Sequence, residues 1–376
     1  MAQWGVALLV VRSYSVPNPS KHLLIGSTEP YSGKSATITG LALQLQDRGI
    51  DIAYAKPVGT CPSDEAGIDE DVRFISKILE LPTSRLRPTL LSLDAQTIQK
   101  QLTEENSAID PQQMATYLGG QGEDLLLIEG PGTLEEGTLF GLSLTQLAKV
   151  TEAQVMLVAR FHSVLIVDGL LAAKQKLGDR LMGVLINDVP IDQLQDVNTN
   201  VKTCLERHGI PVLGILPSTP LMRSVSVGEL VHQLKAEVLC CEERMDLMVQ
   251  SLSIGAMNVN SALKYFRKAD NMAVITGGDR ADIQLAALET STQCLILTGH
   301  IAPRPDIISR AQDLEVPILS VDLDTLTTVE IIEKSFQEVR LQEPIKVQCI
   351  QLLMEQHFDV DRLMAELNLS SPAVTA

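Results

Sequence analysis

The residues Gly33-Lys34-Ser35 carry the clearest chemical signal in this chain. A short apolar run leads into a loop of small and turn-forming residues from Gly26 onward, and a helical pattern follows. The backbone N–H groups of such a loop, at the positive end of a helix, can cradle phosphate oxygens. The lysine then reaches the outer phosphates as a point charge, and the serine hydroxyl can ligate Mg²⁺. The pattern therefore predicts a P-loop that ends at Ser35.

Further polar side chains stand at or just after the ends of predicted strands. Ligands bind at the carboxyl ends of strands in parallel sheets, and this rule brings Lys34 together with Lys56, Asp71, Glu129 and Asn187. A carboxylate that leaves an apolar strand beside a P-loop is the usual arrangement for holding Mg²⁺ on phosphates. Asp71 and Glu129 are therefore candidate metal ligands. The alternative interpretation is a solvated acid at a helix start and at a strand end.

The segments that carry these residues alternate strands and helices, which is typical of a parallel sheet. The pattern predicts an α/β fold, in which a P-loop domain with a mostly parallel sheet flanked by helices precedes a smaller α/β domain. The strands expected in the first half are 23–25, Ile52 to Ala55, Leu125 to Ile128, Gln154 to Ala159, Leu181 to Ile186 and Val212 to Pro217.

Composition limits the classes of function. The 376 residues suggest two or three domains, and 45% apolar with 20% charged residues is ordinary for a globular protein. A net charge of −17 argues against nucleic acid or an anionic membrane as the main partner. The six cysteines lack zinc spacing, and the adjacent pair Cys240-Cys241 is expected to consist of buried thiols in a reducing compartment. With no membrane-spanning run and no signal-type segment, a cytoplasmic protein is expected, with residues 1–20 as a flexible leader.

The first half resembles a known family through Thr28 to Ser35, Lys56-Pro57-Val58, Glu129-Gly130 and Asn187-Asp188. These motifs are similar to dethiobiotin synthetase and its relatives, over roughly residues 21–217. The relatives include the amidoligases of cobyrinic acid and the N-terminal domain of long phosphate acetyltransferases. The synthetases also have a lengthened P-loop, although here Ser27 occupies the place of their first glycine. No match to the synthetases' diaminopelargonate pocket is visible in residues 60–160.

The resemblance implies a site for ATP or ADP with Mg²⁺. By resemblance, Ser35, Asp71 and Glu129 would hold the metal, and Lys56 would stabilise a carbamate or acyl-phosphate intermediate. Lys34 would act beside it in any catalysis. The implied nucleotide contacts are Thr28, Glu29, Ser32, Gly33, Lys34 and Ser35 in the loop, and Asn187 at the adenine.

The second half resembles the DRTGG domain, through Ile275 to Asp282 and Leu297-Thr298-Gly299. In long phosphate acetyltransferases that domain lies between the P-loop domain and the catalytic domain. Two glycine turns, Gly277-Gly278 and Gly299-His300, could bind an anion or could be simple strand-to-helix connections. The resemblance allows a small-molecule effector here. About forty residues follow it, fewer than a phosphate acetyltransferase catalytic domain needs, so that reaction is not expected.

The expected domains are a P-loop domain at 21–217, a DRTGG-like domain at 218–340 and a C-terminal helical tail at 341–376. In the tail, a helical face of Ile345, Cys349, Leu352, Leu353 and Gln356 is expected to pack on the DRTGG-like domain. Three functions stay open: a nucleotide-binding regulatory or sensor protein, an ATP-dependent carboxylate or carbamate ligase, and an assembly scaffold with a vestigial P-loop. The sensor is favoured, and a homo-oligomer, most commonly a dimer, is expected.

Overall fold

The computed structural model describes residues 21–59, 69–103, 114, 116–119, 122–339, 341 and 343–370. The leader expected at 1–20, Cys61, and the end of the tail at 371–376 lie outside the described residues.

The first half of the chain forms a seven-stranded parallel sheet with helices on both faces. Its order is β4-β2-β6-β1-β7-β8-β9, and β3 pairs with β5 apart from it. The strands are β1 (Lys21–Ser27), β2 (Ile52–Ala55), β3 (Val58–Gly59), β4 (Leu86–Arg87), β5 (Leu91–Ser92), β6 (Leu125–Glu129), β7 (Gln154–Arg160), β8 (Leu181–Val189) and β9 (Val212–Pro217). The helices are α1 (Lys34–Asp47), α2 (Glu70–Ile78), α3 (Ala95–Thr103), α4 (Leu144–Thr151), α5 (Ile166–Leu177), α6 (Leu194–Asp196) and α7 (Lys202–Arg207), with a π-helical turn at Val197–Val201 and 3₁₀ turns at Thr83–Arg85, Thr138–Phe140 and Gly178–Arg180.

Strand β6 shows why these segments form a buried sheet. Successive side chains of a strand point to opposite faces, and both faces of this sheet are covered. Leu126 and Ile128 therefore belong to one hydrophobic core, and Leu125 and Leu127 belong to the other. The continuous apolar run from which the sequence predicted a strand is the consequence of burial on both sides.

The second half forms a smaller five-stranded sheet of order β11-β16-β15-β14-β13. Its strands are parallel except β11, which pairs antiparallel with β16. The strands are β10 (Val225–Ser226), β11 (Glu237–Cys240), β12 (Met248–Val249), β13 (Ser251–Ile254), β14 (Met272–Gly277), β15 (Thr292–Thr298) and β16 (Ile318–Val321), with β10 and β12 paired separately. The helices are α8 (Val227–Leu234), α9 (Val259–Phe266), α10 (Ala281–Leu288), α11 (Pro305–Asp313) and α12 (Thr325–Gln337), with 3₁₀ turns at Pro220–Arg223 and Glu242–Arg244. The predicted α/β fold of two unequal domains is confirmed.

Two final helices, α13 (Pro344–His357) and α14 (Val360–Glu366), return to the first sheet. Helix α13 packs along α1, where a Cβ added to Gly40 would lie 2.8 Å from the Met354 side chain. Between the two helices, the backbone N–H of Asp359 donates to the carbonyl of Leu213 in β9. Residues 344–366 therefore complete the core of the P-loop domain.

The expected packing face of α13 was wrong. Val347, Ile350 and Met354 are buried in the same core as α1, whereas Ile345 and Leu352 are 49% and 56% exposed. The α1 surface offers a groove at Gly40, and the α13 face that fits this groove differs from the face that the sequence suggested.

Two smaller observations concern the cysteines and the membrane. Cys240 and Cys241 are buried free thiols, as the sequence predicted. Cys294 is also buried, whereas Cys204 and Cys349 are partly exposed free thiols. Among the helices in the described part of the chain, none is long and apolar enough to cross a membrane.

Candidate functional site

The P-loop lies between β1 and α1, at the carboxyl edge of the large sheet. Gly33 adopts the left-handed conformation, with φ of 98°, which allows the loop to turn into the helix. The Asn187 amide, from β8, donates from Nδ2 to the Ser32 carbonyl at 2.9 Å. A Cβ at Gly33 would approach that same Nδ2 to 2.4 Å. Asn187 thus fixes the loop, and a larger residue at position 33 would displace it.

Lys34 is 8% exposed, and its Nζ donates to the Ser27 hydroxyl at 2.9 Å. Burial lowers the pKa of Lys34, and the nearby Glu129 carboxylate opposes this shift. Ser27 in turn donates to the carbonyls of Glu29 and Gly132. Because the contact of the ammonium is with a neutral hydroxyl, its charge stays available to an anion. The serine that replaces a glycine in this loop therefore holds the lysine.

Glu129, at the end of β6, is held at both of its carboxylate oxygens. The Ser35 hydroxyl donates to Oε1 at 2.9 Å, and the Tyr54 hydroxyl donates to Oε2 at 2.6 Å. Tyr54 is fully buried, and burial together with the Glu129 charge raises its pKa well above the ordinary value. Ser35 and Glu129, both predicted as metal ligands, are thus in contact, and Tyr54 orients the carboxylate.

Lys56 lies in a buried cluster with two acids. Its Nζ contacts Asp69 Oδ1 at 2.9 Å and Asp71 Oδ2 at 2.5 Å. Asp69 also caps α2 by accepting from the Asp71 backbone N–H. Asp71, the third predicted metal ligand, is therefore paired with Lys56 in this structure. Within the part of the chain that the structure describes, no group of three or more His, Cys, Asp or Glu side chains is arranged to hold a metal ion.

One cavity of about 400 Å³ brings these groups together. Eight of the predicted site residues line it: Ser32, Gly33, Lys34, Ser35, Lys56, Asp71, Glu129 and Asn187. Ser32 lines the cavity, and its buried hydroxyl has no hydrogen-bond partner. The same cavity continues past Pro217 to residues of α12 and α13.

Two predicted contacts are not among the residues that line the cavity. Thr28 and Glu29 precede the turn, and Glu29 Oε1 lies 2.8 Å from His162 Nε2. The sequence did not indicate Tyr54, Asp69 or Glu136 as site residues, and it gave Ser27 a place in the loop but no contact with Lys34. Glu136 lines the cavity, and its carboxylate, like that of Glu129, opposes the lowering of the Lys34 pKa by burial. Glu136 lies beyond a glycine-rich turn, and nothing in its spacing indicated that it approaches the P-loop.

The glycine turn of the second domain, after β14, has a different character. The Gln284 amide donates to the carbonyls of Gly277 and Gly278, at 3.0 Å each. The Gly278 N–H donates to the Thr298 carbonyl at 3.1 Å. Arg280 donates to the Met257 carbonyl and to Asp282. The turn's own hydrogen bonds favour the interpretation as a strand-to-helix connection.

A parallel sheet with a loop of this kind at its central strand defines a P-loop α/β protein. The chain belongs to the AAA domain family, whose model matches residues 21–226, and residues 229–335 match the DRTGG domain. The resemblance to the first two modules of long phosphate acetyltransferases is thereby confirmed.

The chain is similar to curated phosphate acetyltransferases. Phosphate acetyltransferase of Synechocystis sp. is 25% identical over 366 residues, which cover 91% of this chain and 51% of that protein. The enzyme of Deinococcus radiodurans is 25% identical over 327 residues, which cover 82% and 46%. The chain spans about half the length of these curated relatives. Among solved structures, the CBS and DRTGG domains of Clostridium perfringens pyrophosphatase, complexed with the activator diadenosine tetraphosphate, match 46% of this chain and 86% of that chain, with 22% identity and a TM-score of 0.28.

Proposed function

We propose that this protein is a nucleotide-binding regulatory or sensor protein that binds Mg-ATP or ADP at the P-loop. The observation that carries the proposal is the convergence of three features on one cavity. These are the buried Lys34 ammonium, the Ser35–Glu129 pair and the unpartnered Ser32 hydroxyl. A buried cation and a buried hydroxyl without a partner each cost free energy unless an anionic, hydrogen-bonding ligand completes them. A phosphate chain has both properties.

The residues also fit Mg²⁺. Hard oxygen ligands suit this cation, and the Ser35 hydroxyl and the Glu129 carboxylate lie in contact beside the phosphate cradle. When bound, the cation would neutralise charge on the phosphates. Asp71 would join the set only after its ion pair with Lys56 opens. Tyr54 keeps the Glu129 carboxylate in place throughout.

A ligase is the second candidate function, and one observation favours it. Lys56 lines the same cavity as Lys34, so a carboxylate or carbamate next to the phosphates would lie within reach of a second ammonium group. Against it, Lys56 is held by Asp69 and Asp71. A sensor needs no such group, and slow or absent hydrolysis follows if no nucleophile is positioned.

The test is calorimetry with Mg-ATP and Mg-ADP, followed by a turnover screen on the same samples. We expect saturable binding of both nucleotides and negligible ATP hydrolysis. The screen adds bicarbonate with an amine, and separately ammonia with a carboxylic acid. Robust turnover in either mixture would replace the sensor by the ligase, and absence of nucleotide binding would remove both.

Three further parts of the proposal come from the sequence and its resemblances. They are a homo-oligomer, most simply a dimer, a small-molecule effector bound by the DRTGG domain, and a cytoplasmic location. A nucleotide that changed the assembly would give a sensor something to report. Light scattering with and without Mg-ATP tests the first part, and a monomer in both conditions would refute it. The domain boundaries at residues 217 and 340 stay predictions.

A further inference from the structure

The cavity at the P-loop extends beyond the groups that suit phosphates. Its far part is lined by six apolar side chains, which we call the junction compartment: Met222, Phe336, Val339, Leu341, Ile350 and Leu353. They come from three stretches of chain: the 3₁₀ turn Pro220–Arg223, the end of α12 with the residues after it, and α13. The compartment therefore lies where the second domain meets the P-loop domain.

Two contacts fix the compartment beside the P-loop. Helix α13 packs on α1, the helix that the P-loop opens, so Ile350 and Leu353 are held by the core of the first domain. Arg223 pairs with Asp188, the neighbour of Asn187 on β8, with its Nε 2.9 Å from Oδ2. That pair anchors the turn that carries Met222. The compartment thus adjoins the strand end that holds the P-loop.

The two ends of the cavity call for a ligand with two kinds of surface. The P-loop end offers an ammonium, hydroxyls and backbone N–H groups, whereas the junction compartment offers aliphatic and aromatic side chains. Lys346, which is 1% exposed and 3.0 Å from Glu343, adds a hydrogen-bond donor to its wall. A flat, largely apolar group with acceptor atoms, joined to a phosphate chain, matches both ends. The size of about 400 Å³ is within the range of small-molecule sites.

Asn187, the residue expected at the adenine, can supply only polar contacts to a base. One N–H of its Nδ2 donates to the Ser32 carbonyl, and an amide has a second N–H and a carbonyl oxygen with which it could still meet the edge of a base. The faces of a base need apolar surface. The junction compartment is an apolar part of the cavity wall.

We infer that the junction compartment binds the base of the nucleotide, so that five residues beyond the stretch matched to the DRTGG domain form part of the nucleotide site: Phe336, Val339, Leu341, Ile350 and Leu353. This inference rests on the proposed function, because it requires phosphates at the P-loop. The inference adds a contact between the nucleotide and α13, the helix that follows the second domain. A bound base would therefore be in contact with both domains.

The experiment compares two ligands that share phosphates and differ in the base, Mg-ATP and Mg-tripolyphosphate. Leu353→Trp adds bulk inside the compartment, and Leu352→Trp is its matched control because Leu352 is exposed on the other face of α13. We expect Leu353→Trp to weaken Mg-ATP by about tenfold or more, the size of a lost base contact, and to leave Mg-tripolyphosphate unchanged. The Leu352→Trp protein should bind both ligands as wild type does.

A second variant covers the case in which the tryptophan disturbs folding. Phe336→Ala shortens a partly exposed side chain at the end of α12 and should also weaken Mg-ATP selectively, by severalfold. Thermal unfolding shows which variants are folded, and only the folded variants are compared with wild type. Equal Mg-ATP affinity in the folded variants and wild type would overturn the inference. Failure of wild type to bind either ligand would instead refute the P-loop proposal.

Discussion

The two glycine turns of this molecule stand at equivalent places and use their glycines differently. Each follows a buried parallel strand and opens a helix, at Gly33 in the first domain and at Gly278 in the second. Gly33 is needed for its left-handed backbone and for the space taken by the Asn187 amide. At Gly278, a Cβ would lie 2.1 Å from the Ile301 carbonyl oxygen. The first glycine shapes a cradle, and the second admits a neighbouring loop.

The two turns differ in the kind of hydrogen-bonding group that remains for a ligand. Around Gly33, Lys34 contacts a neutral hydroxyl, and the Ser32 hydroxyl is unpartnered. Around Gly278, the glycine carbonyls accept from Gln284, and the Arg280 charge is offset by Asp282. The first turn therefore keeps a hydrogen-bond donor for an anionic ligand, whereas the unpartnered atom beside the second turn, Gln284 Oε1, is an acceptor. The sequence shows the turn, whereas the hydrogen-bonding groups that remain unpaired depend on side chains from other helices and strands.

The largest expected effect on Mg-ATP affinity comes from removing the positively charged side chain at the first turn. Lys34→Ala should weaken Mg-ATP by about 1.5–3 kcal/mol, because it removes a charge-assisted contact to phosphate. Arg280→Ala, at the corresponding place in the second domain, is the matched control and should leave Mg-ATP affinity unchanged. Isothermal calorimetry on both variants measures the difference. Equal loss in the two proteins would mean that the cavity at the P-loop is not the nucleotide site.

A pair of glycine substitutions tests the two roles directly. Gly278→Ala should lower the free energy of unfolding by about 1–3 kcal/mol, because its Cβ would meet backbone that cannot easily move, while Mg-ATP affinity stays the same. Gly33→Ala should weaken Mg-ATP as well as lower stability, because the Asn187 amide must leave the Ser32 carbonyl and because alanine is strained at a φ of 98°. Chemical denaturation and calorimetry give the two quantities. The same pattern of losses in both variants would contradict the distinction.

Sequence alone predicted the parts of the site that depend on local pattern. The apolar runs gave β6 and β9 because the sheet is buried on both faces, and the strand-end rule brought Lys56 and Glu129 into one cavity with the P-loop. The role of Tyr54 could not be predicted, because an aromatic residue in a buried strand is ordinarily part of the core. Only the hydrogen bond from its hydroxyl to Glu129 shows a polar role. The α13 face escaped because the matching groove is set by Gly40, on a helix far away in the chain.

The hydroxyl of Tyr54, in β2, offers a test at Glu129, the proposed Mg²⁺ ligand beside the first turn. Tyr54→Phe deletes the donor to Glu129 Oε2 and frees the carboxylate to rotate. We expect roughly tenfold more Mg²⁺ to be needed for nucleotide binding, as is usual when a partner of a metal ligand is lost. Tyr265→Phe is the control, since Tyr265 is exposed in the second domain. An Mg²⁺ titration indistinguishable from that of wild type would show that Tyr54 has only a packing role.

The smallest expected effect is a pH dependence that only the first turn should have. Burial lowers the pKa of Lys34 from 10.5, so between that lowered value and 10.5 the unfolded chain binds more protons than the folded one. The contribution of Lys34 to the free energy of unfolding therefore becomes more favourable as pH rises through this window. Phosphate beside the ammonium favours the charged form, so the affinity for Mg-ATP should fall over the same window.

Proton uptake on binding measures this linkage. Calorimetry in two buffers of different ionisation enthalpy, at a pH just below 10.5, should show wild type taking up a fraction of a proton when Mg-ATP binds. Burial also lowers the pKa of Lys346, so this residue could take up a proton in the same pH range. The uptake by wild type is therefore compared with the uptake by each variant. Arg280→Ala should keep the uptake, because an arginine stays charged in this range. Lys34→Ala, measured at nucleotide concentrations raised to saturate it, should lose the uptake. If the uptake persists in Lys34→Ala, the proton belongs to another group, and the buried lysine is not the cation that meets the phosphates.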